Sequence, residues 1–238
     1  MKKRIKINGI IMFCAFLLVV FFPGIFFRKS QIGFSSAITG VFGIAFILLG
    51  QIFRVSARGY KSEQSDNGHS LVEGGPYTLV RNPMYLGIIL ISVGVILALF
   101  QWWVVCVFLL FFIVRYHKLI LKEEGELLKI FPDDYAAYLK HVPRLMPSWK
   151  ALFLRHIEDY LPLKPAWIKK EISSMLAVLL LVLALKLCMG IRYQGVAVYL
   201  QEVKYMLVVI LLFLLMMVYL CKRTKVSSKN AADKSQDN

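Results

Sequence analysis

The chain has 238 residues, of which 58% are hydrophobic, and its mean hydropathy is +0.65. This composition excludes an ordinary soluble domain and indicates a polytopic membrane protein. The formal net charge of +15 would suit a nucleic-acid-binding protein, but the placement of the basic residues explains it without nucleic acid.

The sequence predicts an all-α integral membrane protein with about six membrane helices. Several apolar segments approach the ~20 residues that a helix needs to cross ~30 Å of hydrocarbon. The fourth segment is short, so the third and fourth are predicted to form a tight helical hairpin that need not cross fully. The first is expected to be a retained helix, because no small-residue cleavage site follows it. In chain order the segments are 7–27, 37–53, 84–100, 102–114, 172–189 and 205–221.

Basic residues are distributed unevenly between the predicted loops. Only Arg28, Lys29, Arg192 and Lys204 fall in the outer loops, whereas most of the 29 Lys and Arg residues lie on the other side. By the positive-inside rule both termini face the cytoplasm, and a bacterial inner membrane is the expected location. The four cysteines lie in apolar segments without metal-ligand spacing, so we expect neither a disulfide framework nor a metal site.

Five parts of the chain are predicted. They are an N-terminal transmembrane hairpin (1–53), a central core (54–147), an interfacial linker (148–171), a C-terminal transmembrane hairpin (172–221) and a disordered tail (222–238).

Two helices of the core have clear local signals. Asn82 is a good N-cap and Pro83 suits a first helical turn, while Gly87 and Gly94 allow a neighbouring helix to approach closely. The next helix has no Pro between residues 102 and 131. A continuous helix over that range would measure about 45 Å, so it must project beyond the membrane.

A cytoplasmic loop is predicted from residue 54. It leads into a polar segment, GHSLVEGGPYTLVRNPMYLG at 68–87, which separates two apolar runs. Gly74, Gly75 and Pro76 predict a turn whose backbone can approach a ligand closely. Tyr77 and Tyr85 are suited to stacking on a base or lying over a cation. Arg81 either holds a carboxylate or extends to the membrane surface.

Glu123 and Glu124 follow the fourth apolar segment. They are either a solvated helix end or carboxylates held beside a cationic ligand at the membrane surface. Arg115, Lys118 and Lys122 share one face of the same helix at headgroup depth, where they are expected to attract an anionic group of the substrate.

The ordered set GGPYTLVRNPMYLG and KEEGELLKIFPDDYAAYLKHVPRLMP resembles the isoprenylcysteine carboxyl methyltransferase and phospholipid methyltransferase superfamily. These are integral membrane enzymes that use S-adenosylmethionine. The resemblance covers about residues 54–147 and includes HSLV at 69–72. The matching positions are Gly75, Tyr77, Arg81, Pro83, Tyr85, Glu123, Glu124, Leu127, Phe131, Tyr135, Tyr138, Arg144 and Pro147.

The resemblance implies a methyltransferase core with a cofactor pocket at the cytoplasmic face. It implies that Glu123 or Glu124 binds polar groups of the cofactor, and it gives catalytic roles to Arg81, Glu123 and Glu124. The residues expected to contact the cofactor are His69, Ser70, Leu71, Val72, Gly75, Tyr77, Asn82, Pro83, Met84, Tyr85 and Glu123.

The chain departs from the family pattern at four positions. Asn82 replaces a His, Gly125 a common Arg, and Pro132 a Gly. Leu119 stands where prenylcysteine enzymes carry an Arg that reads the substrate carboxylate. This last departure argues against a prenylcysteine substrate.

The expected function is therefore S-adenosylmethionine-dependent methylation of a lipid or small hydrophobic acceptor that enters from the bilayer. Two alternatives stay open. One is an NADPH-dependent membrane reductase of the sterol or steroid type, whose members carry a related R-H-P-x-Y element. The other is a non-catalytic membrane protein that retains the fold. The acceptor atom and the oligomeric state are not specified by the sequence.

Overall fold

The computed structural model describes residues 21–27, 34–65, 69–147, 157–193 and 196–236. Within these ranges the protein is helical and contains no β-strand, apart from one isolated bridge between Phe27 and Phe100. The helices in chain order are α1 (Pro23–Phe26), α2 (Phe34–Gln64), α3 (Pro76–Leu79), α4 (Pro83–Leu99), α5 (Trp102–Ile130), α6 (Pro132–His141), α7 (Ile157–Tyr160), α8 (Pro165–Tyr193) and α9 (Val196–Gln236).

Four of the described helices are long and apolar enough to cross a membrane. Their spans are Ile38–Gln64 in α2, Trp102–Ile130 in α5, Pro165–Met189 in α8 and Val203–Val226 in α9. Helix α4 is apolar but has 17 residues, about 25 Å, and so falls short of a full crossing. The predicted segment 7–27 lies mostly outside the described residues. A mostly helical fold with four candidate membrane helices among the described residues is confirmed, while the number six stays a prediction.

Helices α2 and α4 touch along their backbones. Gly43 and Gly50 of α2 face Gly94 and Gly87 of α4, and the spacing of seven is the same on both helices. A Cβ on Gly94 would lie 2.5 Å from the carbonyl oxygen of Gly43, and one on Gly87 would lie 2.8 Å from that of Gly50. The predicted close approach at Gly87 and Gly94 is confirmed, because only glycine permits this separation.

Helix α2 is longer than its apolar segment. The sequence predicts a loop from residue 54, but the helix continues to Gln64. The extension contains no Pro and packs against a later part of the chain. The Ser56 hydroxyl donates to the Pro162 carbonyl oxygen over 2.7 Å, and Arg58 forms an ion pair with Glu171. Tertiary contacts therefore extend the helix where local sequence predicts a loop.

The predictions for α4 and α5 are largely correct. Helix α4 begins at Pro83 with Asn82 at the N-cap position, and α5 is continuous from Trp102 to Ile130. The Asn82 side chain, however, does not cap the helix. Its amide donates instead to the carbonyl oxygen of Arg144 over 3.3 Å. The prediction of a side-chain N-cap was therefore wrong, and the side chain bonds instead to a distant segment of the chain.

The C-terminal helices pack against α2. Below, "the site end" is the end of the bundle at which α2 finishes and α4 and α8 begin. The amide of Leu163 donates to the Thr224 hydroxyl over 3.0 Å, which brings the later part of α9 to this end. Helix α9 continues to Gln236, although the sequence predicts a disordered tail from residue 222. That tail has no Pro or Gly, and extending a helix is far easier than nucleating one.

Candidate active site

The polar segment 69–85 turns sharply before α3. Gly75 has φ +56°, a conformation that side chains rarely adopt, and a Cβ there would lie 2.9 Å from the Tyr60 ring. The Thr78 hydroxyl donates to the Gly75 carbonyl oxygen over 2.7 Å and fixes the first turn. The predicted tight turn therefore packs against the aromatic ring of Tyr60, a residue that is not one of the motif positions.

Tyr77 lies at the centre of the site end. Its ring is buried, and its carbonyl oxygen accepts a hydrogen bond from the Tyr138 hydroxyl over 2.6 Å. Burial raises the pKa of the Tyr77 phenol, and the negative charge of Glu123 raises it further. Burial also raises the pKa of the Tyr138 phenol. Both tyrosines therefore stay neutral at physiological pH and act as hydrogen-bonding and packing groups.

Glu124 is held between two arginines. It is 8% exposed, and its two carboxylate oxygens accept hydrogen bonds from Arg144 Nε (3.1 Å) and Arg144 Nη2 (2.7 Å). Arg81 Nη1 lies 3.4 Å from the same carboxylate. Hydrogen bonding to Glu124 raises the pKa of the Arg144 guanidinium. The carboxylate thus joins two arginines that are 63 positions apart in sequence, in an arrangement that is favourable because a buried charge needs a partner.

The backbone reinforces this cluster. The amides of Arg81 and Asn82 donate to the carbonyl oxygens of Pro143 (2.9 Å) and Arg144 (3.2 Å). Arg81 Nε is buried and has no hydrogen-bond partner. A buried donor without a partner costs free energy, and such groups in folded proteins call for an explanation such as an absent ligand or water.

Glu123 has different surroundings, although it is the neighbour of Glu124. It is exposed, and its carboxylate accepts a hydrogen bond from the Tyr85 hydroxyl over 2.8 Å. The Tyr85 ring meets the Tyr116 ring edge-on at 5.2 Å, and Tyr116 stacks on Phe112 at 4.1 Å. These residues place an accessible carboxylate beside a row of aromatic rings between α4 and α5.

A cleft of about 850 Å³ opens beside these groups. It is bounded by the segment before α3, by α6 and by the end of α7. Of the residues predicted to contact the cofactor, His69, Ser70 and Leu71 line this cleft, whereas Tyr85 and Glu123 do not. Arg81, predicted to be catalytic, does not line it either. The full lining is His69, Ser70, Leu71, Glu73, Thr78, Phe131, Asp134, Ala137, Tyr138, His141, Val142 and Tyr160.

The predicted residues therefore form two neighbouring groups rather than one pocket. Tyr77 is related to both groups: its carbonyl oxygen accepts a hydrogen bond from Tyr138 in the cleft, and the negative charge of Glu123 raises the pKa of its phenol. Val72 and Met84 are half-buried, and both adjoin residues of these groups in the sequence. Pro83 is buried in the first turn of α4.

The three basic residues proposed to contact substrate are exposed on α5 and lie apart from Glu124. Lys122 pairs with Glu126 at 3.6 Å, and the Arg115 guanidinium lies 6.0 Å from the centre of the Tyr116 ring. Lys118 is exposed on the same helix. Helix α5 explains the separation, because its buried residues Phe112, Ile120 and Glu124 recur at multiples of four and turn the basic residues outward.

Sequence reasoning missed some residues of this region. Arg144 was recognised only as a motif position, and the R-x-x-P signal at residues 144–147 could have identified it as a partner of the Glu pair. Tyr116 and Tyr160 carry no motif signal, since single tyrosines near membrane helices are common.

The fold and the site together define a class: a multi-pass helical membrane protein whose motif residues meet at one end of the bundle. The model of the phospholipid methyltransferase family matches residues 19–134. Protein-S-isoprenylcysteine O-methyltransferase of Schizosaccharomyces pombe is 28% identical over 129 residues, which is 51% of this chain and 55% of the relative. The chain thus spans about half the length of the curated relative that it matches. No solved structure gives a significant match.

Over this region the chain is similar to the phospholipid methyltransferase family and to an isoprenylcysteine methyltransferase. The resemblance read from the motifs is confirmed. Neither comparison favours the alternative of a membrane reductase.

Proposed function

We propose that the protein is an S-adenosylmethionine-dependent membrane methyltransferase that acts on a lipid or another small hydrophobic acceptor. The observation that supports this most strongly is the meeting of three motif elements that are distant in sequence. Tyr85 bonds to Glu123, and Arg81 and Arg144 bind Glu124. The family match points to the same activity.

The residues present fit this cofactor. The cleft of about 850 Å³ is large enough for a molecule of its size, because ligand pockets commonly measure ~300–1,000 Å³. The exposed carboxylate of Glu123, beside the Tyr85 and Tyr116 rings, suits a cationic group. The unpartnered buried Nε of Arg81 is a donor suited to a carboxylate. S-adenosylmethionine supplies an activated methyl group on a sulfonium centre together with an ammonium and a carboxylate.

We assign cofactor binding to two groups of residues. His69, Ser70 and Leu71 form the cleft side, with Val72 next to them in sequence and Gly75 and Tyr77 at the turn between the two groups. Asn82, Pro83, Met84, Tyr85 and Glu123 form the side near the first turn of α4.

Glu124 has a different role from Glu123 in this proposal. Its carboxylate is already satisfied by Arg144 and Arg81 and is almost fully buried. Glu124 therefore positions Arg81 and the segment around Arg144, and Glu123 is the carboxylate that remains available to a ligand. This narrows the expectation from the sequence, which left either carboxylate as the ligand.

The reaction would need alignment and exclusion of water more than acid–base chemistry. Methyl transfer is a direct displacement, so holding two reactants in line in a dry site accounts for much of the rate. The acceptor would approach from the side where α4 and α5 face lipid. The bases Arg115, Lys118 and Lys122 are exposed on α5, where each would attract an anionic headgroup by ~1 kcal/mol.

Equilibrium binding to the purified full-length protein tests the cofactor. We expect binding of S-adenosylmethionine and no measurable binding of NADPH; the reverse result would replace the methyltransferase with the reductase alternative. Binding of neither would favour a non-catalytic membrane protein.

A transfer experiment tests the acceptor class. The protein, reconstituted with methyl-labelled S-adenosylmethionine and a total membrane extract, is expected to place label in the organic-soluble, lipid-sized fraction. Label confined to soluble protein or to polar metabolites would contradict a lipophilic acceptor.

A further inference from the structure

The part of the chain after residue 134 lies outside the family match, yet it reaches the candidate cofactor cleft. Tyr160 ends the short helix α7, is 5% exposed, and lines the cleft together with His69, Ser70 and Tyr138. Phe131 and Tyr138 also line the cleft, so Tyr160 adds a third aromatic ring to its wall.

The segment that carries Tyr160 is fixed on both sides. Leu161 and Leu163 are buried, and the Pro162 carbonyl oxygen accepts the hydrogen bond from Ser56 of α2. The Leu163 amide donates to Thr224 of α9. Tyr160 is therefore held in place by two helices rather than carried on an unrestrained loop.

A second set of contacts, here called the Trp167 contact, joins the following helix to α2. The Trp167 indole is 3% exposed and donates from Nε1 to Glu63 over 2.6 Å, while Lys164 pairs with the other oxygen of the same carboxylate. Gly59 lies under the indole, and a Cβ at Gly59 would overlap the Trp167 ring.

The helix that receives these contacts also supports the motif segment. Tyr60 of α2 lies under Gly74 and Gly75, and the carbonyl oxygen of Ala57 lies 3.5 Å from the Tyr77 hydroxyl. One stretch of α2 therefore holds the motif turn on one side and the C-terminal segment on another. This geometry links the position of Tyr160 to the predicted cofactor residues.

We propose that the C-terminal segment 157–167 completes the cofactor cleft, with Tyr160 as a cofactor-binding residue and the Trp167 contact as the device that positions it. The proposal rests on the proposed function, since it takes S-adenosylmethionine as the occupant. It assigns to the C-terminal helices a role in cofactor affinity.

Titration calorimetry of S-adenosylmethionine with the purified full-length protein tests the assignment of Tyr160. Tyr160→Ala is expected to weaken binding by about tenfold, the loss typical of one aromatic contact with a nucleoside. Tyr160→Phe retains the ring and is expected to stay within about twofold of the unsubstituted protein. Should Tyr160→Ala not fold, Tyr160→Leu keeps apolar bulk in the same place, and the same loss is expected.

The Trp167 contact has a matched pair of glycine variants. Gly59→Ala places a methyl group in the indole ring and is expected to weaken binding by about fivefold or more. Gly125→Ala is the control, because a Cβ there meets nothing within 4 Å and both positions lie in long helices. Helical content by circular dichroism confirms that each variant is folded.

The outcomes separate this inference from the proposed function. If the unsubstituted protein does not bind S-adenosylmethionine, the proposed function fails and the inference fails with it. If it binds normally and folded Tyr160→Ala or Tyr160→Leu binds equally well, only the inference is overturned. Equal effects of Gly59→Ala and Gly125→Ala would overturn the role of the Trp167 contact.

Discussion

Glu123 and Glu124 are neighbours in sequence, but α5 directs them to different surroundings. A step of one residue rotates a side chain by about 100° around the helix axis, and here it separates an exposed carboxylate from a buried one. Glu124 lies on the packed face with Phe112 and Ile120. The pair therefore combines a structural ion cluster with an accessible acid.

Replacing each carboxylate by its amide separates the two roles. Glu123→Gln is expected to leave thermal stability nearly unchanged and to weaken S-adenosylmethionine binding at least about tenfold, because an exposed carboxylate beside aromatic rings is suited to a cation. Calorimetry and thermal unfolding of the same preparation measure both quantities. Unchanged affinity in the folded variant would return Glu123 to a solvated helix end.

Glu124→Gln is expected to lower the free energy of unfolding by about 1–3 kcal/mol. The amide cannot neutralise Arg144 and Arg81, and the loss of one partner leaves two positive charges close together. Denaturant titration in detergent measures the loss. A stability equal to that of Glu123→Gln would contradict a structural role for Glu124.

The buried phenols of Tyr77 and Tyr138 predict a loss of stability at alkaline pH. Burial raises the pKa of both above the ordinary value, so the unfolded chain releases these protons first. Stability is then complete below about pH 10 and falls as the pH rises above it. Tyr138→Phe is expected to make this fall shallower, by up to ~1.4 kcal/mol per pH unit. Unfolding midpoints between pH 9 and 11.5 provide the measurement; an unchanged slope would contradict the assignment.

At the scale of helices, the closest packing lies between α2 and α4. Gly94→Ala would place a methyl group 2.5 Å from the Gly43 carbonyl oxygen, and backbone cannot move aside as a side chain can. We expect a loss of about 1–3 kcal/mol in the free energy of unfolding. The change Gly125→Ala provides a control in open space, where alanine should be neutral or stabilising. Equal stability of the two variants would show that the helices can separate without cost.

Local signals in the sequence predict the start of α4 and the length of α5. Pro83 fixes the first turn of α4, and the absence of Pro allows α5 to continue to Ile130. The burial of Glu124, the unexpected partner of Asn82 and the extension of α2 to Gln64 depend on contacts between distant segments, which one sequence does not contain. The division of the motif residues into two neighbouring groups likewise required the structure.

At the scale of the whole molecule, the site end brings three helix termini to one side. Arg58 near the end of α2 pairs with Glu171 near the start of α8, and Leu163 contacts Thr224 late in α9. These contacts require that the neighbouring segments lie on the same side of the membrane. The distribution of basic residues then predicts that this side is the cytoplasm.

Cysteine labelling tests that topology. The test uses a background without the native cysteines. In it, Ser62→Cys and Ser228→Cys are expected to react with a membrane-impermeant reagent only when that reagent has access to the cytoplasmic side. Labelling of both from the outer side would reverse the predicted orientation. Labelling of the two positions from opposite sides would contradict the packing of α9 against the segment around Leu163.

The glycine contact between α2 and α4 also determines how this protein can move. Where backbone meets backbone, few side chains can change rotamer to let one helix slide, so we expect α2 and α4 to move as one rigid body. Helix α5 is different, because only 11% of its apolar span is buried inside the protein. We expect that entry of an acceptor from the bilayer is accommodated by tilting of α5, on a millisecond or shorter timescale, against an unmoving α2–α4 pair.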